Sequence, residues 1–434
     1  MKKTFIHVLT VMILAITVSF SLLLVSNASE VKESTSEENA ESKADDTEDK
    51  KAPFMETAAD VKDSLGLESP SALLMELSSG KVLYEKDADS KRRPASVTKL
   101  MTMLLAFEKI DSGAIKLEDT ITVSEHAASM GGSQVYLEPG EQQTVNDILK
   151  CMIVSSANDA AVAMAEFIGG TEPDFVNMMN DKAASLGMTG THFENACGLE
   201  AEGHLMTSRD IAILSRELLL KHPSVTDYTT IWMDTITHHT VRGDSEFGLA
   251  NTNKFLKKYE GANGLKTGYT SVAGFSMSAT ATRNGTTLIA VVMGSKTKDI
   301  RYKDAATLLD YGFNNCRPYS DDNVLSDNIS DDNILKEGKE ILVVNGTKNN
   351  VSVNAEKSFK TVLLGEEAAE DITKKLELVD NEAPIKKGEI VAKVIYEQGG
   401  NEIGSVNIIA SEDVSEQKYK NILQKLINNF INIY

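Results

Sequence analysis

The chain has 434 residues, of which 41% are hydrophobic, and a formal net charge of −20 at pH 7. This length allows two or three domains, and the apolar content is that of a protein with a buried core, so disorder of the whole chain is excluded. Phosphate binding requires clustered Lys and Arg, and the negative charge therefore argues against a nucleic-acid partner.

The first 28 residues are predicted to be an export signal. Lys2 and Lys3 precede an uncharged apolar run from Val8 to Val25, and Ser26-Asn27-Ala28 follows as a cleavage site. The run is long enough to span a bilayer, so an uncleaved anchor is the alternative, and in both cases the rest of the chain lies outside the cytoplasm. Residues 29–55 are rich in Glu, Asp, Ser and Lys and are predicted to be a disordered acidic linker.

Residues 56–317 are predicted to form an α+β catalytic domain. Hairpins are indicated near both of its ends, by Ala72–Glu76 with Lys81–Glu85 and by Gly274–Arg283 with Thr286–Gly294. Apolar residues at helical spacing predict five helices between them, at Val97–Ile110, Val145–Ile153, Asp159–Ile168, Glu172–Leu186 and Ser208–Lys221. We expect the first and last strands to meet in one sheet.

The last third of the chain is predicted to hold three segments. Residues 318–337 read as a second acidic linker, since the Asp-rich sequence at Ser320 is repeated at Ser330; a calcium loop would also need a central Gly and a closing Glu, which are missing. Short β-rich runs predict a small β-sandwich at residues 338–412. Residues 413–434 are predicted to form an amphipathic helix on a membrane surface, and packing on the sandwich is the alternative.

Three short motifs carry candidate chemistry: Ser96-Val-Thr-Lys99, Ser156-Ala-Asn158 and Lys266-Thr-Gly268. Ser-x-x-Lys alone is unspecific, because it recurs at Ser29, Ser78, Ser295 and Ser415. Context selects this set. Its members follow one another within one folded region, with the first at a helix start, the second between two helices and the third before a strand.

The sequence around these motifs resembles the low-molecular-mass penicillin-binding proteins of the D-alanyl-D-alanine carboxypeptidase family, from about residue 56 to residue 313. Further stretches carry the resemblance, namely Arg93–Thr102, Thr191–Asn195, Gly198-Leu199, His204–Asp210, Asn251–Lys254 and Gly264–Thr270. Ala157 departs from relatives, which often have Gly or Asp there, but this position offers mainly its backbone. The resemblance implies a β-lactamase/penicillin-binding-like transpeptidase domain, an antiparallel sheet with a helical subdomain, followed by a small sandwich that serves as a pedestal.

The implied activity is removal of the terminal D-Ala from peptidoglycan pentapeptides, with penicillins and other β-lactams as covalent inhibitors. Location at the outer face of the cytoplasmic membrane or in the cell wall is implied as well. A β-lactamase would share the motifs but needs a deacylating water, for which no Glu can be assigned. A non-enzymatic wall-binding protein could retain the fold, although nucleophile, base and Lys-Thr-Gly are all intact.

The side chains suggest a mechanism. Ser96 is the predicted nucleophile and Lys99 its base, which must be neutral; burial and a second cation, Lys266, are expected to lower the pKa of Lys99. Ser156 would relay the proton to the departing amine, and Asn158 would bind the substrate backbone. By resemblance, the oxyanion would rest on the N–H groups of Ser96 and Tyr269.

A carboxypeptidase also requires a receptor for the terminal carboxylate. Arg301 occupies the place of the family's carboxylate-binding arginine, and a guanidinium suits a carboxylate; a surface arginine on a helix starting near Asp299 is the alternative. The implied substrate-binding residues are Thr267, Gly268, Tyr269 and Arg301.

The remaining conspicuous residues favour structural roles. His238 and His239 are expected to be exposed strand residues, because no third ligand has metal-binding spacing, and no metal or cofactor is predicted. His204 and Asp210 are expected to cap a helix. The three cysteines, Cys151, Cys197 and Cys316, are expected to be buried free thiols.

Overall fold

The computed structural model describes residues 65–326, 329, 335–336 and 339–418. The predicted export signal (1–28), the predicted linker at 29–55 and residues 419–434 of the predicted C-terminal helix lie outside the described residues. Within the described part of the chain, no helix is both long enough and apolar enough to cross a membrane.

Strands and helices are mixed between residues 65 and 315, which confirms the predicted α+β class. The strands are β1 (Ser71–Glu76), β2 (Val82–Lys86), β3 (Thr120–Thr122), β4 (Gln142–Thr144), β5 (Met233–Thr240), β6 (Gly243–Ala250), β7 (Ala262–Thr270), β8 (Gly274–Arg283) and β9 (Thr286–Ser295). The α-helices are α1 (Lys99–Asp111), α2 (Glu125–Ala128), α3 (Val145–Val154), α4 (Asn158–Gly169), α5 (Glu172–Ser185), α6 (Ser208–Lys221), α7 (Val225–Thr229) and α8 (Lys298–Asn315). The five predicted helices are confirmed to within two residues at each end.

The central sheet is antiparallel, with strand order β2-β1-β9-β8-β7. Alternate residues of β1 enter opposite cores: Leu73 and Met75 pack among the helices, whereas Ala72 and Leu74 pack on the face covered by α8. Because both faces are covered, β1 and β9 are almost continuous apolar runs. The predicted meeting of the first and last strands is confirmed by the pairing of β1 with β9.

Helix α1 lies in the centre of the helical side, and all its residues from Lys99 to Phe107 are buried. A helix that is apolar on every face belongs in a core, so the packing of α1 also takes Lys99 out of water. Threonine hydroxyls cap the starts of α3, α5, α6 and α8, where they accept a backbone N–H three residues on, at Thr144, Thr171, Thr207 and Thr297.

The C-terminal region is built from strands around a third apolar core. They are β10 (Cys316–Asp321), β11 (Leu335–Lys336), β12 (Glu340–Leu342), β13 (Asn350–Ala355), β14 (Phe359–Leu364), β15 (Ile372–Leu378), β16 (Ile390–Gln398) and β17 (Asn401–Ala410). Six of them form one sheet in the order β11-β12-β13-β17-β16-β15, and β10 pairs with β14. The predicted β-sandwich region is therefore present.

Two predicted boundaries are wrong. The acidic linker at residues 318–337 begins inside β10, and its Val324 and Ile329 are buried in the third core. A charged side chain of this stretch has partners in the fold: Asp321 accepts a hydrogen bond from Tyr396 and forms an ion pair with Lys374. The predicted C-terminal helix, residues 413–434, starts too early, because Val414 is buried and pairs with Ile385.

Candidate active site

Ser96 lies in a single 3₁₀ turn, Ala95–Thr98, that leads directly into α1. Ala95 has φ of 50°, a left-handed conformation that costs an L-residue roughly 1–3 kcal/mol. Such strain persists only where the surroundings fix the backbone. The turn leaves the half-buried Ser96 just before the start of α1 and places Lys99 one turn further along, in the interior, as the helical spacing predicts.

The Lys99 amine has three hydrogen-bonding neighbours. Its Nζ lies 2.6 Å from Asn158 Oδ1, 2.7 Å from the Cys197 carbonyl and 3.2 Å from Ser96 Oγ. The first two atoms are acceptors only, so they take two N–H bonds of the amine. A neutral amine then has its lone pair left for the third neighbour, the hydroxyl of Ser96.

Burial lowers the pKa of Lys99 to about 8, against the opposing effects of Cys197 and Asp159, which raise it. Lys266 is buried as well, and its pKa is lowered well below its ordinary value, first by burial and then by Lys99 and Arg301. Repulsion between two cations is mutual, so it disfavours the charged form of either amine; the contribution of Lys266 to the pKa of Lys99 stays a prediction. Both amines are therefore biased toward the neutral form.

Ser156 and Asn158 occupy the break between α3 and α4, as predicted. Ser156 has φ of 60°, a second left-handed residue in the site, and its Oγ lies 2.7 Å from Lys266 Nζ. Asn158 begins α4, and its side chain is engaged at both ends: Oδ1 accepts from Lys99 and Nδ2 donates to the Gly131 carbonyl at 2.7 Å. A substrate backbone that binds Asn158, as predicted, would have to share Oδ1 with Lys99 or Nδ2 with the Gly131 carbonyl.

The Lys266-Thr-Gly motif lies on β7, the strand at one edge of the central sheet. Gly268 lets this strand approach the nucleophile turn, because a Cβ at this position would lie 2.6 Å from the Pro94 carbonyl. Among the described strands β7 pairs only with β8, and its other edge runs alongside Ser96. An unpaired strand edge is a template for an extended peptide.

Arg301 is buried in the first turns of α8, so the alternative of a surface arginine is wrong. Its Nη1 lies 3.4 Å from the Gly268 carbonyl and 3.3 Å from the Ser276 carbonyl, while its Nε has no hydrogen-bond partner among the described residues. The guanidinium thus packs behind the Lys-Thr-Gly strand with donor capacity unused. Tyr269 is exposed and stacks on Phe275, with ring centroids 4.2 Å apart; Thr267 is buried, with its hydroxyl 3.5 Å from that of Thr252.

A loop that follows Phe193 completes the site and was not predicted from the sequence. Asn195 Oδ1 accepts the N–H groups of Cys197, Gly198 and Leu199, which turns the Cys197 carbonyl toward Lys99. The Asn195–Gly198 spacing is a turn signal, but nothing in it indicates that a carbonyl faces a buried amine.

His204 does not cap a helix, contrary to the sequence analysis. Its Nδ1 accepts the N–H of Glu194, and Nε2 lies 2.8 Å from the hydroxyl of Thr98 in the nucleophile turn. Burial lowers the pKa of His204 to about 4, so the ring is neutral and Nε2 is the protonated nitrogen. The cap of α6 is Thr207, and Asp210 accepts hydrogen bonds from Gly190 and Thr191.

The other structural assignments are mostly as expected. His238 is an exception, because it is buried against Glu141 at 2.8 Å instead of exposed; His239 is exposed. The three cysteines are free, with Cys151 and Cys197 buried and Cys316 half-buried. Among the described residues, no group of three or more His, Cys, Asp or Glu side chains is arranged to hold a metal ion.

Two family models match the chain. The model described as D-alanyl-D-alanine carboxypeptidase matches residues 56–297, and that of the penicillin-binding protein 5 C-terminal domain matches residues 329–416. The chain is 38% identical to D-alanyl-D-alanine carboxypeptidase DacF of Bacillus subtilis, over 84% of this chain and 91% of the relative. It is 32% identical to DacC of Escherichia coli, over 84% and 89%.

Solved structures give the same result. Penicillin-binding protein 5 from Haemophilus influenzae superimposes with a TM-score of 0.66 at 29% identity, covering 81% of this chain and 98% of that one. The ampicillin-bound penicillin-binding protein D2 from Listeria monocytogenes covers 57% of this chain and 98% of its own, with a TM-score of 0.50 at 32% identity. Motifs, site geometry and matches thus agree, and the chain belongs to the D-alanyl-D-alanine carboxypeptidase family.

Proposed function

We propose that this protein, a serine-type D-alanyl-D-alanine carboxypeptidase, removes the terminal D-Ala from peptidoglycan stem pentapeptides through an acyl-enzyme on Ser96. Penicillins acylate the same enzyme. The observation that carries the residue assignment is the Lys99 amine, held by two acceptors so that its lone pair is left for the hydroxyl of Ser96.

Acylation begins with attack of Ser96 Oγ on the carbonyl carbon of the penultimate D-Ala. The hydroxyl proton passes to neutral Lys99, and the oxyanion of the tetrahedral intermediate is stabilised by the N–H groups of Ser96 and Tyr269. The C–N bond then breaks, and the departing amine takes a proton from the Ser156 hydroxyl, which Lys99 replenishes. Water hydrolyses the ester and regenerates Ser96.

Lys266 supports this sequence by holding the Ser156 hydroxyl at 2.7 Å. Since its Nζ also contacts the carbonyl of Thr267 at 3.1 Å, the amine links the second motif to β7. We assign it to positioning Ser156 for proton transfer, whatever its charge at a given pH.

The terminal carboxylate of the substrate is assigned to the Thr267 hydroxyl and the Arg301 guanidinium. Support comes from Arg301 lying behind Gly268, with a buried Nε that lacks a partner. A buried unpartnered donor is costly unless a ligand uses it. The penultimate residue would then lie along the β7 edge, with its carbonyl at Ser96.

The proposal is tested with a labelled penicillin and with release of D-Ala from a pentapeptide, for the wild type and Ser96→Ala. We expect the wild type to be labelled and to release D-Ala, and the variant to do neither while keeping its melting temperature. A wild type that fails in both assays contradicts the proposal. Rapid nitrocefin turnover without D-Ala release would indicate a β-lactamase instead.

We also propose that the enzyme is exported and held at the outer face of the cytoplasmic membrane by its C-terminal segment. Support comes from the apolar face between Tyr419 and Tyr434, with Lys418, Lys420 and Lys425 off it. Glu416 is bridged to Gly346, and deletion of residues 419–434 removes none of the residues that form the described sandwich, so the sandwich should stay intact.

The deletion variant should move from the membrane fraction to the soluble fraction and remain labelled by penicillin. Mass spectrometry of the membrane-bound wild type shows whether residues 1–28 are removed. If they are removed and the deletion variant still partitions with membranes, the C-terminal anchor is contradicted.

A further inference from the structure

Asp159 is a fully buried carboxylate that the mechanism above does not use. It directly follows Asn158, in the first turn of α4. One oxygen accepts the N–H of Ala160 at 2.9 Å, and the other accepts those of Val135 and Leu137, both at 3.1 Å. Burial raises the pKa of Asp159, and the backbone hydrogen bonds oppose this effect. All these partners are donors, and the start of a helix favours negative charge, so the surroundings stabilise the anionic form of a carboxylate that burial disfavours.

The donors come from a segment that also holds Asn158. The Ser133 carbonyl accepts the backbone N–H of Asn158 at 2.7 Å, and the Gly131 carbonyl accepts its side-chain N–H at 2.7 Å. Tyr136, between the two donors, has φ of 63°, which turns successive N–H groups toward one anion. A non-glycine residue keeps this conformation only where the surroundings require it.

We propose that Asp159 is a positioning residue: its buried carboxylate fixes residues 131–137, and through them the Asn158 amide that orients the Lys99 amine. The chain of contacts ends at the 2.6 Å bond between Asn158 Oδ1 and Lys99 Nζ. This inference rests on the proposed role of Lys99 as base and adds a residue that never touches the substrate.

The charge of Asp159 also acts on the protonation of Lys99. It raises the pKa of Lys99 and opposes the effect of burial. Removing this charge at constant size should therefore favour the neutral amine at lower pH. The other ionisable groups that face Lys99 or Asp159 from neighbouring elements are Cys151 of α3, Cys197 of the loop and Lys266 of β7, with Arg301 beyond Lys266.

The test measures the rate constant for acylation of Ser96 by a labelled penicillin as a function of pH, in wild type, Asp159→Asn and Asp159→Glu. Asparagine keeps the size and loses the charge, and its NH₂ group faces backbone donors. We expect the rate constant on the high-pH plateau of the Asp159→Asn profile to fall at least about tenfold. The acid limb, where the rate constant decreases with decreasing pH, should move to lower pH by roughly 0.5–1 unit. Loss of packing alone would lower the plateau and leave the acid limb in place.

Asp159→Glu is the matched control, because it keeps the charge and displaces the carboxylate by one methylene group. We expect a lowered plateau with an unmoved acid limb. A wild-type plateau in either variant overturns the positioning role, and an acid limb that stays in place in Asp159→Asn, or that moves equally in both variants, overturns the electrostatic part. If Asp159→Asn does not fold, the plateau of Asp159→Glu decides.

The readout separates this inference from the proposed function. Penicillin acylation does not depend on D-Ala release, so a wild type that is labelled but releases no D-Ala contradicts the carboxypeptidase proposal alone.

Discussion

At the residue scale, Lys99 determines how the rate should depend on pH. The base must be neutral, and burial lowers its pKa to about 8. Acylation by penicillin should therefore rise with pH through about 8 and fall about tenfold per unit well below it. The pKa read from the acid limb of this pH–rate profile belongs to the buried pair of Lys99 and Lys266, because two interacting amines do not titrate independently.

Lys99→Arg tests the same residue without removing its charge. A guanidinium cannot lose its proton at these pH values, so the acylation rate should fall about 10²–10⁴-fold, and raising the pH should not restore it. Stopped-flow or gel-based labelling measures both effects. A variant that recovers its rate above pH 9 would contradict the role of Lys99 as base.

Arg301 should discriminate between peptide and β-lactam. Arg301→Ala removes the charged donor opposite the substrate carboxylate and should raise KM for D-Ala-D-Ala peptides about 10–100-fold. Acylation by penicillin should slow much less, because its strained ring depends less on this anchor. Arg301→Lys, which keeps the charge but not the planar fork, is the control. Equal losses for both substrates would refute the assignment.

Much of the site could be predicted at this scale. The three motifs identified Ser96, Lys99, Ser156, Asn158 and Lys266, and the structure brings all five together. The Cys197 carbonyl and Asp159 could not be found in the same way. A backbone acceptor leaves no trace in the residue type, and an aspartate near a helix start is ordinarily a cap.

At the element scale, the loop after Phe193 is held against the nucleophile turn by a glycine. Gly198 has φ of 87°, and a Cβ there would lie 1.9 Å from the Ala95 carbonyl. The added Cβ would clash with the backbone carbonyl of Ala95, which cannot move aside as a flexible side chain can. The loop and the turn therefore fit together only with glycine at this position.

Gly198→Ala should displace both the Ala95–Ser96 turn and the Cys197 carbonyl. We expect the melting temperature to drop by several degrees, with a loss of about 2 kcal/mol or more, and penicillin labelling to slow at least about tenfold. Gly248→Ala in β6 is the control, since nothing lies within 4 Å of its added Cβ. Identical melting and labelling of Gly198→Ala and wild type would contradict this packing.

Element prediction succeeded where periodicity is strong and failed where charge conceals pairing. The helices follow from apolar spacing, and α3 is the clearest case, with Val145, Ile148, Leu149 and Met152 on its buried face. Strand β10 was not predicted because Pro318, Ser320 and Asp321 resemble a solvated linker, while the strand that pairs with them, β14, is distant in sequence. Such long-range pairing is invisible in a local window.

At the scale of the whole molecule, the C-terminal region contributes to the core of the catalytic sheet. Val362 of β14 is buried in the cluster that also holds Leu74, Tyr84 and Leu308. Lys81 forms a half-exposed ion pair with Glu367 at 2.7 Å beside it. Apolar contact should matter more here than the ion pair, because solvent screens the latter.

Val362→Ala should lower the free energy of unfolding by about 2 kcal/mol, and Glu367→Ala by less than about 1 kcal/mol. Trp232 is the only tryptophan in the sequence and lies in the catalytic region, so its fluorescence during urea unfolding reports that region. If the urea midpoint measured by Trp232 fluorescence is the same for Val362→Ala as for the wild type, the two regions unfold independently.

The β5–β6 hairpin has a consequence for cutting the chain. Within the part of the chain that the structure describes, its two strands pair only with each other. Its tip exposes Val241 and Arg242 fully or nearly so, which offers trypsin a site. A nick after Arg242 would place Ser96, Lys99, Ser156 and Asn158 on one polypeptide, and Lys266 and Arg301 on the other. Strands β1 and β2 would belong to the first fragment and β7–β9 to the second, within one sheet. The protein is thus laid out as two complementary halves that should stay associated, and active, after a single cleavage.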